Sequence, residues 1–247
     1  MKNNELQIGA VVRQNIYQKN FSNQCVNIDF DVSMNLTRCL IHPKAGLSTP
    51  VLNCATNWNT RYQTTTDIPP PCQVLSDYVH LLPTTGTALD LACGLGANAL
   101  LLAGYGLETY AWDYAETALE RLKTFAQAQK LQIHTQVRDV VVSPPPPATF
   151  DVIVVCHFLD RSLVPALVHA LKPNGLLFYQ TFTRTCVSDW GPKKPEFRLA
   201  DNELLQMFAD LQIVVYREEG KIGDTAQGFR NEALLVASNT TDSVFKT

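Results

Sequence analysis

Three aspartates in this chain sit where acids are out of keeping with their apolar surroundings. Asp90 lies inside "ALDLACGLGANALLLA" (88–103), Asp113 closes "LETYAWD" (107–113), and Asp139 closes "IHTQVRD" (133–139). Gly94 and Gly96 follow the first acid in the spacing Gly94-x-Gly96-x-x-Ala99. Glycines at such a turn let a ligand come close to the backbone. A helix starting near Ala97 offers unpaired N–H groups and the positive end of its dipole. The loop is therefore suited to an anion, yet Asp90 places a negative charge where a phosphate would be repelled.

A ligand carrying both a cation and a carboxylate satisfies both features. The amino-acid end of S-adenosyl-L-methionine is such a ligand, and its sulfonium is a second cation. Asp113 is spaced from Asp90 so as to hold a ribose diol with two carboxylate oxygens. Asp139 can accept from an adenine amino group. Each acid alone also reads as a helix N-cap or a solvated loop end; the ordered series with the glycine turn favours the ligand.

The elements needed to position these residues are readable from hydrophobic period. Prolines 69–71 can open a helix carrying Val74, Leu75, Tyr78, Val79 and Leu82 on one face. Strands are expected at 87–92, 107–113, 133–139, 150–156 and 176–183. Helices are expected at 97–103, 115–130 and 162–171, with a turn at 172–175. This alternation predicts an α/β fold, a doubly wound and mostly parallel sheet covered on both faces. After residue 200 come a helix in "DNELLQMFADL" (201–211) and two strands, "QIVVYREE" and "EALLVAS", joined closely enough to pair antiparallel.

Length and composition bound the rest. The 247 residues, 46% of them hydrophobic, suit one α/β domain with an extension. Net charge is −3 and the pI is about 5.9, and no basic block offers a surface for nucleic acid. Seven cysteines, at 25, 39, 54, 72, 93, 156 and 186, form no C-x-x-C pair. Reduced thiols in a cytoplasmic protein are expected, with no metal site. The N-terminus lacks the apolar region of a signal peptide, and no run is long enough to span a membrane. The expected organisation is a partly disordered extension over 1–55, a domain over 56–238 and a tail over 239–247, with Met34 an alternative start. Oligomeric state is not legible.

The segments "LDLACGLGANALLLA", "AWDYAETALERL", "VRD" and "FDVIVVCHFLDR" resemble the nucleotide-binding motifs of the class I S-adenosylmethionine-dependent methyltransferases. Within that superfamily, "WNTRY" (58–62) and "FTRT…GPKKPEFRLADNELLQMF" (182–208) are similar to the tellurite-resistance-type small-molecule methyltransferases. The resemblance covers roughly residues 57–238. It implies a Rossmann-like seven-stranded sheet whose last strand is antiparallel. It also implies that Asp90, Ala92, Gly94 and Gly96 surround the methionine end and Asp113 holds the ribose. Asp139 would reach the adenine, Tyr114 and Val140 would flank its ring, and Cys156 and His157 would lie by the sulfonium. Leu95 and Ala97 depart from relatives that carry a charged residue near this turn.

Methyl transfer is an in-line displacement with an excellent leaving group, so alignment supplies much of the rate. A base is needed only where the nucleophile starts protonated. His157 is the candidate base, and Arg161 and Arg184 are candidate clamps for an anionic acceptor. Asp160 and Arg161 alternatively cap the helix that follows them. Trp58, Arg61 and Tyr62 are expected to fold over the cofactor. The expected partner is a small-molecule acceptor, a thiol, an oxyanion or a small acid, with no nucleic acid and no membrane. A non-catalytic S-adenosylmethionine-binding module and a Rossmann-type nucleotide-dependent oxidoreductase are the rival readings; Asp90 beside a pyrophosphate counts against the second.

Overall fold

A computed structural model describes residues 51–65 and 67–240. Most of the expected extension, including Met34, and most of the expected tail lie outside those residues.

Seven strands form one sheet: β1 (Thr87–Leu91), β2 (Glu108–Asp113), β3 (Ile133–Val137), β4 (Phe150–Cys156), β5 (Leu171–Phe182), β6 (Gln212–Glu218) and β7 (Glu232–Ser238). Their spatial order is β3-β2-β1-β4-β5-β7-β6. β1 to β5 run parallel, and β7 is antiparallel to both β5 and β6. The helices are α1 (Val51–Thr64), α2 (Gln73–Asp77), α3 (Ala97–Tyr105), α4 (Glu116–Ala128), α5 (Val164–Ala170) and α6 (Glu203–Met207). The Rossmann-like sheet with one antiparallel strand is the architecture expected from the sequence.

Alternation along the central strands explains why the sheet is covered twice. Ile153 and Val155 of β4 pack with Leu89, Leu91, Leu177, Tyr179 and Leu235 on one face. Val152 and Val154 pack with Ala88, Phe178, Leu234 and Val236 on the other. Burial of each such side chain contributes roughly 1.5–3 kcal/mol. The same parity puts Asp90, Cys156, Gln180 and Glu232 on the second face, at the carboxyl ends of the parallel strands. Ligands bind at that edge of an open α/β sheet.

Several bounds differ from the sequence reading. Helix α1 spans the expected boundary at residue 55. The helix expected at 74–82 is α2 followed by a short 3-10 turn at Val79–Leu81. The helix expected over 201–211 is helical only at Glu203–Met207. The turn at 172–175 exists as an outward loop within β5. Phe150 pairs Leu171 and Val152 pairs Leu176, so four residues of β5 have no opposite number on β4.

Candidate active site

β1 delivers the glycine turn to the carboxyl edge of the sheet. Ala92, Gly94 and Gly96 all have positive φ, at 55°, 51° and 74°. These alternating left-handed residues fold the chain into a tight turn, in which the Cys93 N–H donates to Trp112 O at 3.0 Å. Gly96 N–H donates to Cys93 O at 2.9 Å, and Leu100 N–H to Gly96 O at 2.9 Å, which starts α3. The space beside Gly94 is taken: a Cβ there would lie 2.7 Å from the Tyr62 hydroxyl.

Asp113 closes this turn. Its Oδ2 accepts from Gly94 N–H at 2.8 Å and its Oδ1 from Ala115 N–H at 2.8 Å. Burial pushes its carboxyl above the ordinary carboxylate range, although the N–H groups of Ala115 and Gly94 oppose the shift. Asp90 is 1% exposed. Its Oδ2 accepts from Ala99 N–H at 3.0 Å and its Oδ1 from Asn98 Nδ2 at 3.4 Å. Burial raises it from 3.8 to about 7, against those two bonds. Asp139 is exposed and accepts from Val141 and Val142 N–H. Arg138 braces that turn by donating to Ser143 O and Pro144 O, with its guanidinium 4.0 Å from the Trp112 ring centre.

Because β3, β2 and β1 are neighbours, the three acids lie along one edge, and Asp113 is bonded directly into the loop that follows Asp90. Each also accepts backbone N–H bonds, so the capping reading and the ligand reading describe the same residues. Tyr114 is half-buried, while Val140 is 5% exposed and packs in the core beside Trp112.

Helix α1 brings aromatic residues over the turn. Trp58 and Tyr62 stack with ring centres 5.6 Å apart and pack on Leu95, Ala115 and Ala118. Asn59 Oδ1 accepts from Thr117 N–H at 3.1 Å, capping α4, and Arg121 Nη1 donates to Tyr62 O at 2.6 Å. Burial, and then the nearby Asp113 carboxylate, hold the Tyr62 phenol well above its ordinary pKa.

β4 delivers Cys156 and His157. Burial, and then the adjacent Cys72 thiol, push the Cys156 thiol up. Cys93, in the cofactor turn, is pushed up by burial as well, which leaves it a small packing residue. His157 has φ +53° and its N–H donates to Gln180 O at 2.9 Å. Its Nε2 lies 2.9 Å from Glu232 Oε1. Its ring stacks on Phe182 at 4.8 Å and meets Trp190 edge-on at 5.7 Å. Glu232 is 2% exposed. Its other oxygen accepts from Gln180 Nε2, and Gln180 Oε1 accepts from Val74 N–H at 2.7 Å. Glu232 and Gln180 were not among the residues chosen from the sequence. Their signal is a polar residue within an otherwise buried strand, in "LLFYQTF" and "EALLVAS".

The two arginines part company. Arg161 donates to both carboxylate oxygens of Glu203, at 2.5 and 2.9 Å, and to Glu196 O and Arg198 O. That pairing pulls the Glu203 carboxyl down and commits Arg161 to joining the 196–203 segment to the sheet edge. Asp160 accepts from Ser162 N–H and caps the turn that follows. Arg184 is exposed, donates from Nε to Pro195 O at 3.2 Å, and lines a cleft with Cys186, Ser188, Lys193 and Arg198. No cluster able to hold a metal ion is found among the described residues, and none of their helices is long and apolar enough to cross a membrane.

Residues 88–175 match the methyltransferase-domain family. A ubiquinone biosynthesis O-methyltransferase of Coxiella burnetii is 28% identical over 101 residues, 39% of this chain and 43% of that protein. Its counterpart in Idiomarina loihiensis is 31% identical over 108 residues, 41% of this chain and 44% of that protein. The chain thus spans less than half the length of these curated relatives. The crystal structure of TehB from Haemophilus influenzae superposes with a TM-score of 0.56 at 21% identity, over 74% of this chain and 66% of that one, which speaks for the fold alone.

Proposed function

We propose that this chain, which carries a class I S-adenosyl-L-methionine-dependent methyltransferase domain, hands the methyl group of that cofactor to a small-molecule acceptor. One observation carries the reading: the left-handed turn at Ala92, Gly94 and Gly96 is tied to Asp113 through the Gly94 N–H. In this reading the glycine turn that opens α3 takes the methionine end, and the Asp113 carboxylate beside it takes the ribose. Asp90, buried behind the turn and raised to about 7 by that burial, supplies a carboxyl that an ammonium or sulfonium bound beside it would hold ionised. Trp58 and Tyr62 wall the turn and limit its access to water. The residues of the chain therefore bind and orient the cofactor, and the cofactor supplies an activated methyl group on a good leaving group.

A small acceptor is favoured over a nucleic acid by the acidic pI of about 5.9. Arg184, in a cleft beyond β5 where Lys193 is paired with Asp189, favours an acceptor that bears or develops negative charge, whether a thiol, an oxyanion or a small acid.

Isothermal titration with S-adenosylmethionine and with S-adenosylhomocysteine tests the cofactor half, with micromolar binding expected. No heat and no thermal shift with either ligand would overturn it. A screen of thiols, hydroxylated aromatics, selenite, tellurite and small carboxylates, read as S-adenosylhomocysteine formed, tests the acceptor half. Cofactor binding with only background turnover across that screen would instead favour a binding module.

A further inference from the structure

We infer that His157 is a general base for the acceptor, oriented by the buried carboxylate of Glu232, and that the acceptor reaches the site with its nucleophile still protonated. The inference rests on the methyl-transfer reading and commits its acceptor to a weakly acidic hydroxyl or thiol in place of an oxyanion or a carboxylate that arrives already ionised.

The geometry is that of a base with an orienter. Glu232 is buried to 2% exposure, while the His157 side chain remains 37% exposed. Both Glu232 oxygens are used, one towards His157 Nε2 and one accepting from Gln180 Nε2. Gln180 is fixed in turn by Val74 N–H. A carboxylate at Nε2 selects the tautomer with the proton on that nitrogen, which leaves the lone pair on Nδ1. No group among the described residues bonds Nδ1. The ring plane is set by Phe182 beneath it and Trp190 at its edge.

His157 also holds a left-handed φ of +53° at the end of the central strand. Such strain persists only where the surroundings impose it, and it gathers at functional sites. β4 lies directly beside β1 in the sheet, so the imidazole and the cofactor turn share one edge.

The step balances without another reactant. The acceptor O–H or S–H bond breaks as its proton passes to Nδ1. The freed lone pair forms a bond to the methyl carbon, and the carbon–sulfur bond breaks with its electrons staying on sulfur. The imidazolium, paired at 2.9 Å with Glu232, then releases the proton to water through its exposed edge. An acceptor already ionised at working pH has no use for this apparatus.

The test uses the full chain with saturating S-adenosylmethionine. Catechol, the more acidic nitro-substituted catechol, and thiophenol are the probes, with S-adenosylhomocysteine as the readout. His157→Gln should lower kcat on catechol by about 10²–10⁴, with little change in KM and with unchanged cofactor affinity by titration. The loss should shrink by tenfold or more on nitrocatechol. Glu232→Gln should lower kcat at least tenfold, and should add nothing further in the His157→Gln background, since residues acting as a unit are not additive. Because Glu232 is buried, Glu232→Asp is included with thermal unfolding to verify the fold; keeping a carboxylate, it should retain more kcat than Glu232→Gln, and an equal loss in both would overturn the orienting role. A uniform loss across acceptors, or additive losses, would overturn the base assignment while leaving methyl transfer in place. Turnover of selenite or tellurite alone by the unmodified protein would overturn the acceptor class. Absence of turnover on all probes and on the wider screen would overturn the methyl-transfer reading itself.

Discussion

Asp90 carries a pH signature that follows from where it is buried. Its folded-state carboxyl keeps a proton up to about pH 7, whereas the ordinary value is 3.8. Between those limits the folded state binds a proton that the unfolded chain does not, so stability falls as pH rises through that window. The contribution at stake is on the order of 4 kcal/mol. Asp90→Asn should therefore flatten the decline in melting temperature between pH 5 and pH 8; parallel declines in both proteins would refute the assignment. Asp113 is a second case. Asp113→Ala should weaken S-adenosylmethionine binding about tenfold or more, since charge-assisted bonds contribute roughly 1.5–3 kcal/mol each. It should also lower stability in urea, because the Gly94 and Ala115 N–H groups lose their acceptor. Unchanged affinity with lowered stability would leave Asp113 as a cap only. The sequence reveals these acids by position, because strand ends and glycines are local features. It does not reveal that Asp113 bonds back to Gly94, or that Glu232 is buried, since both depend on which strands become neighbours. A Glu opening a strand reads as solvated until β7 is known to lie inside the sheet.

Among the elements, the cofactor turn and α1 constrain each other. Gly94→Ala meets both a φ of +51° and the Tyr62 hydroxyl at 2.7 Å, while Gly96→Ala meets φ +74° and the Leu122 methyls at 2.5 Å. The left-handed cost alone is about 1–2 kcal/mol. Tyr62→Phe should recover part of the loss in Gly94→Ala and none of that in Gly96→Ala, as judged by urea unfolding of the four proteins and the matching double variants. Equal recovery in both would mean that Tyr62 acts on the whole turn rather than at Gly94. Helix α1 itself was hard to read. "VLNCATNWNTRYQT" is rich in Asn and Thr, which favour caps and turns over helix interiors. What holds it is tertiary: Asn59 on Thr117 N–H, Arg121 on the Tyr62 carbonyl, and Trp58 and Tyr62 on Leu95, Ala115 and Ala118. Conversely, "DNELLQMFADL" has helical spacing over eleven residues but is helical only at Glu203–Met207. Asn202, just ahead of it, has φ +60°, and Phe208 is wholly buried against Tyr179. Arg161 is a candidate anion clamp in the sequence for its paired donors, and those donors meet Glu203, 42 positions away, a pairing that only the fold reveals.

For the molecule as a whole, α1 is the first of the described elements, and it packs on the cofactor turn through Trp58 and Tyr62. A fragment spanning Val51–Thr240 should melt with the full chain and bind S-adenosylmethionine within about twofold, whereas one starting at Asp67 should expose Leu95, Ala115 and Ala118 and bind far more weakly. Equal binding by the shorter fragment, measured by titration, would show that α1 is dispensable. The sheet was the most legible part of the molecule, because runs such as "FDVIVVC" are buried on both faces and admit no other placement. Its far edge was less so: two strand-like runs gave an antiparallel pair but not which of them lies inside. In fact the last strand in sequence takes the inner place, between β5 and β6. During synthesis, β6 emerges before the neighbour it must bond to, and His157 emerges 75 residues before Glu232. The cofactor turn is thus complete early and the proton-accepting pair last. One strand therefore does two jobs: β7 brings the carboxylate that steers the imidazole and also the Leu234, Leu235 and Val236 side chains that seal both faces of the sheet, so the chemistry is armed by the same segment that locks the fold.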